Sequence, residues 1–139
     1  MASYTKCTNG VDSLVKGANL STDTWKVALS NADPTAKTTF TPGTDDLATG
    51  NGYTQGGNAA AVASSTTTAG TMKLILNSPA TWTSVTGNVG PFRYAILWNF
   101  TQSVPIGFWD YGSSITLNGV NGDTFAVTLD GTNGVFTVA

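Results

Sequence analysis

Eight aspartates supply all of the acidic groups in this chain, and the sequence contains no histidine, a single arginine (Arg93) and a single cysteine (Cys7). Paired carboxylates are what glycoside hydrolysis needs, one on each side of the scissile bond. Asp45, Asp46, Asp123 and Asp130, however, all sit in Gly- or Asn-rich turns, where Asp is favoured because its side chain bonds nearby backbone amides. None of these turns has the spacing of an EF-hand loop or of a repeated calcium motif. Without histidine there is no Ser-His-Asp or Cys-His arrangement, no imidazole metal ligand and no common general base near neutral pH. A Ser-Lys dyad is the remaining route to a serine nucleophile. No motif places a lysine for it, and Gly112-Ser113-Ser114 reads as a polar turn. The expectation is a protein that is not an enzyme and needs neither cofactor nor metal.

Gly50-Asn51-Gly52-Tyr53-Thr54-Gln55-Gly56-Gly57 has the glycine content of a phosphate-cradling loop. No apolar strand precedes it, no helix follows it, and the lysine of the P-loop motif is missing. It reads as a surface loop in which glycine lets a neighbouring backbone approach and Tyr53 offers an amphipathic anchor. Trp98, Trp109, Tyr94 and Tyr111 would suit a sugar-stacking platform, but they lie in the most apolar segments, where core packing is the simpler role. Arg93 has two candidate partners, Asp110 across neighbouring strands or a carboxylate on another protein, and the sequence leaves both open.

The elements that must position these residues are mostly strands. Trp25, Val27 and Leu29 alternate with smaller or polar residues, as do Met72, Leu74 and Leu76 and, later, Phe125, Val127 and Leu129. Phe92 to Trp98 is dense enough in apolar residues to be a central strand, and Ile106 to Tyr111 is placed to pair with it across a turn at 99–103. Short strands are expected at Trp82, at Ile115 to Leu117 and at Val135 to Val138, with Asn-Gly and Asp-Gly turns between them. Residues 59–68 are small and polar with only weak alternation, and 31–57 reads as a long exposed excursion and a candidate contact surface. Residues 1–22 are expected to be an arm, with one or two helical turns at Val11, Leu14 and Val15. The expected fold is therefore all-β, an antiparallel jelly roll or related β-sandwich over residues 23–139, preceded by that arm.

A chain of 139 residues fits one domain. Its net charge of −2 gives no cation excess for a phosphate backbone, so direct nucleic-acid binding is not expected. Apolar runs such as Tyr94 to Trp98 fall far short of the roughly 20 residues of a spanning helix, and the opening MASYTKCTNG lacks a signal-peptide h-region. Neither a membrane role nor export is expected. One cysteine forms no intramolecular disulfide.

Four segments together carry a family resemblance: Asp23 to Leu29, Gly50 to Gly57, Gly90-Pro91-Phe92-Arg93-Tyr94-Ala95-Ile96-Leu97, and Trp109-Asp110-Tyr111-Gly112-Ser113-Ser114. In order and spacing they resemble small structural proteins of tailed bacteriophages, most closely capsid cement (decoration) proteins. The resemblance implies a virion protein made in the bacterial cytoplasm, placed on the capsid surface as a homo-oligomer, with the phage major capsid protein as its partner. A tail- or fibre-associated binding module is the alternative. Arm residues Tyr4 and Lys6 and loop residues Tyr53 and Gln55 are the expected partner contacts, with the arm or a free strand edge extending a neighbour's sheet.

Overall fold

The computed structural model describes residues 2–139. In chain order the elements are β1 (Tyr4–Lys6), α1 (Gly10–Lys16), β2 (Trp25–Ser30), β3 (Asn58–Ala59), β4 (Val62–Thr68), β5 (Thr71–Leu76), β6 (Trp82–Thr83), β7 (Val89–Asn99), β8 (Val104–Leu117), β9 (Thr124–Phe125) and β10 (Phe136–Val138). All strand pairs are antiparallel. A five-stranded sheet has the order β1-β8-β7-β2-β3, a three-stranded sheet β10-β5-β4, and β6 pairs with β9. The chain is thus an all-β sandwich. A jelly roll would place eight strands in two Greek keys; here the sheets hold five, three and two.

The expected alternation builds the main core. Trp25, Val27 and Leu29 of β2, Ala95 and Leu97 of β7, and Ile106 of β8 meet Leu74 and Leu76 from the facing sheet, with Trp82, Phe92 and Leu117 closing the cluster. Strand β2 pairs with β7 from Trp25↔Asn99 to Ser30↔Tyr94, which sets both strands in the middle of their sheet.

The opposite face of that sheet is also covered. Ala28, Tyr94, Ile96, Trp98 and Phe108 form a second buried cluster with Cys7 and Phe40. Phe40 belongs to the segment 31–57, so that segment is not simply an exposed excursion: it lies over the sheet, and Phe40 stacks on Trp98 at 4.2 Å between ring centroids. Burial on both faces explains why β7 is apolar almost without alternation.

Residues 4–16 are not a free arm. β1 pairs with β8 through Tyr4↔Trp109, Thr5↔Phe108 and Lys6↔Gly107. Cys7 follows, fully buried, its N–H donating to the Ile106 carbonyl at 3.0 Å. α1 then begins at Gly10, where a Cβ would collide with the Ile106 carbonyl, so only glycine lets the helix lie this close to β8. The helical turn expected around Val11, Leu14 and Val15 is present, docked rather than loose.

Three further elements differ from expectation. β8 is one 14-residue strand rather than two, with a shift in its pairing to β7 between Asp110 and Ile115, where Gly112 has φ +81°. Regular pairing of the strand expected over 125–129 stops at Phe125, although Val127 and Leu129 are still buried. The weakly alternating stretch 59–68 contains β4, joined to β5 by Ala69 and Gly70, both at positive φ (49° and 80°), which is a two-residue type I′ hairpin.

Candidate partner-binding surfaces

Two of the four expected contact residues lie together. Tyr4 and Lys6, on edge strand β1, line a groove of about 260 Å³ whose other walls come from α1 and β10, including Leu14, Val15, Phe136 and Val138. On α1, Val11 and Val15 are one helical turn apart on one side and are 46% and 70% exposed. Lys6 is exposed at the margin. The Tyr4 ring is half-buried, 5.2 Å from the Trp109 ring, and its buried hydroxyl has no hydrogen-bond partner among the described residues. Burial first, and the Cys7 thiol second, raise its pKa well above the usual tyrosine value. The groove therefore offers apolar surface with one cation at its rim, and most of that surface comes from α1 and β10, which the sequence marked as a helical turn and a strand but not as partner contacts.

Tyr53 and Gln55 are elsewhere, and Tyr53 is not an exposed anchor. It is 2% exposed, and its hydroxyl accepts the Leu29 N–H at 3.0 Å while donating to Asp46 Oδ2 at 2.6 Å. Asp46 also accepts from the Gly56 N–H at 2.5 Å and, through Oδ1, from the Gly43 N–H at 2.6 Å. The Trp98 indole N–H donates to the Gly56 carbonyl at 2.9 Å. At Gly57, φ is +75° and a Cβ would overlap the Val27 carbonyl. The glycine-rich loop is thus fastened onto β2 and β7, and Gly57 against Val27 and Gly52 against Thr83 serve close approach within the chain. Gln55 is exposed, its backbone N–H donating to Thr49 Oγ1 at 3.0 Å.

The four aromatics of the possible sugar platform separate into two pairs. Trp98 and Tyr94 are buried in the second cluster. Trp109 and Tyr111 are half-buried and line a surface cavity of about 490 Å³, together with Gly112, Ala126, Val127 and Thr128. Tyr111 also meets the Phe125 ring edge-on at 5.2 Å. Neither the Trp109 indole N–H nor the Tyr111 hydroxyl has a hydrogen-bond partner among the described residues, and neither is among the buried unsatisfied groups. Their polar tips therefore reach solvent.

Arg93 takes the intramolecular alternative. Its Nε and Nη2 meet Asp110 Oδ1 and Oδ2 at 2.7 and 2.8 Å, a two-pronged ion pair. The arginine fork and then the Gly112 N–H hold the Asp110 carboxyl below its usual range. Other carboxylates also serve turns and joints. Asp45 accepts from Lys37 Nζ at 2.5 Å and the Thr41 N–H at 2.7 Å. Asp23 accepts from the buried Asn99 amide at 2.7 Å, and Asp130 holds its own turn through the Thr132 and Asn133 N–H groups. No group of three or more potential metal ligands occurs among the described residues, and no described helix is long and apolar enough to cross a membrane.

No family model, curated protein or solved structure matches the chain.

Proposed function

We propose that the chain is a structural protein of a tailed-phage virion, binding the outer surface of the head and joining major capsid subunits. One observation carries the reading: the four segments on which the resemblance rests form a single scaffold. Asp23 to Leu29 runs into β2, Gly90 to Leu97 lies in β7, Trp109 to Ser114 lies in β8, and Gly50 to Gly57 is bonded onto β2 and β7. Residues that carry the likeness thus hold shape, as befits a family of structural parts, and the link from that family to the head is an analogy.

The groove beside α1 is the surface assigned to the capsid. Covering an exposed valine contributes roughly 1.5–3 kcal/mol when burial is complete, so Val11 and Val15 give a modest contact per copy. A homo-oligomer engaging several capsid subunits at once would turn modest contacts into tight binding, favouring the assembled shell over free subunits. Co-sedimentation with phage heads lacking the protein tests this, with tails in parallel. Saturable binding to heads alone is expected. Binding to tails alone would replace the reading.

The open cavity at Trp109 and Tyr111 favours a second reading, a tail-associated module holding a host glycan between aromatic walls. Glycan-array binding abolished by Trp109→Ala, with virion labelling at the tail, would establish it in place of the first.

A further inference from the structure

We infer that β4 is a self-association edge, pairing antiparallel with β4 of a second copy so that two three-stranded sheets become one of six strands. The type I′ turn at Ala69-Gly70 fixes which backbone groups are free. In such a hairpin the flanking pair Thr68↔Thr71 exchanges both hydrogen bonds, so Thr68, Thr66 and Ser64 turn their N–H and C=O groups toward β5. Ser65 and Thr67 turn theirs outward, where no described backbone group meets them.

Edge strands are commonly guarded by charge, proline, shortness or a cover. The other sheet-end strands of the two larger sheets are short: β1 and β10 have three residues each and β3 has two. β4 has seven, Val-Ala-Ser-Ser-Thr-Thr-Thr, with neither charge nor proline. Its one irregularity, between Val62 and Ser64, leaves Ser64 to Thr68 as the pairable stretch. No charged residue lies anywhere from Leu47 to Met72, so β4 itself brings no like charges together; Lys73, across from Thr66, is one strand further in on β5.

A second copy fits this edge because antiparallel pairing of identical strands is closed by a two-fold axis. Centring the axis on Thr66 uses the whole stretch. Ser65 of each strand then opposes Thr67 of the other, making four backbone hydrogen bonds, while the two Thr66 residues face each other as a non-hydrogen-bonded pair with Cα atoms about 4.5 Å apart. That spacing suits a disulfide, whereas two Thr68 residues would lie roughly 13 Å apart, beyond its reach. The pairing needs only the isolated chain, so it stands or falls apart from head binding.

Sedimentation equilibrium of the full chain, and of its Thr66→Lys, Thr66→Cys and Thr68→Cys variants, provides the test. Expected results are a concentration-dependent dimer, its loss in Thr66→Lys, and covalent dimers with a mild thiol oxidant for Thr66→Cys but not Thr68→Cys; buried Cys7 stays out of the reaction. A chain that remains monomeric and does not cross-link at position 66 would overturn the inference. So would a dimer that survives Thr66→Lys, or cross-linking at 68 in place of 66.

Discussion

The Tyr53 hydroxyl lies 2.6 Å from Asp46 Oδ2 and 3.0 Å from the Leu29 backbone nitrogen, so one phenol joins the glycine-rich loop to the central sheet. Tyr53→Phe keeps the ring and strips both bonds, leaving a buried N–H without an acceptor. The expected cost is about 1–3 kcal/mol in urea unfolding, with little change in m-value. An unchanged midpoint would mean that the loop is held without the phenol, by the Trp98–Gly56 and Asp46 bonds and the Gly57 contact.

Alkali should weaken the fold through the same group. Burial and the neighbouring Asp46 raise the Tyr53 pKa far above 10, and burial raises those of Tyr4 and Tyr111. The stability these phenols contribute is complete below the unfolded-state pKa near 10. As pH rises past that value the unfolded chain releases protons that the folded chain retains, so stability falls. Denaturation midpoints should drop above about pH 10, less steeply in Tyr53→Phe. A flat alkaline limb in the wild-type protein would contradict the burial of these groups.

The N-terminal segment is part of the fold, so its removal should act on stability before it acts on binding. Deleting residues 2–17 strips β1 and α1 from β8 and uncovers surface that Tyr4 and Cys7 keep dry. Losing those two side chains alone costs on the order of 2–5 kcal/mol, and an insoluble or broadly melting product is expected. A truncated chain with the full-length melting temperature would restore the idea of a free arm.

Cys7 offers a direct probe of that docking. Burial, helped by the Asp33 charge, pushes its thiol up to about 12. A thiol reagent at pH 8 should therefore leave the native protein untouched and label it fully in denaturant. Rapid native labelling would show that β1 and α1 open readily.

Much of the fold was legible because alternation reports one-sided burial directly. Trp25 to Ser30 is a strand with Trp25, Val27 and Leu29 inward, and Leu74 and Leu76 mark the facing sheet. What was hidden depends on long-range contacts. Phe40 alone in a polar stretch gives no period, yet it covers Trp98. β4 carries Ser and Thr on both faces, so binary pattern is silent there. Tyr53 looked available because glycine neighbours suggest exposure, whereas Gly57 lets the loop press onto β2. Tyr4 and Lys6 do share a surface, but the apolar part of that groove comes from α1 and β10, at opposite ends of the chain.

The central claim, that the chain stabilises a phage head, is tested most directly by the temperature at which heads lacking it release DNA, measured with and without saturating protein. The account predicts that wild-type protein raises this temperature, and that Val15→Asp, which places a charge at the 70%-exposed Val15 position of α1, folds normally but gives little or no rise. Heads that release DNA at the same temperature with and without bound wild-type protein would contradict it.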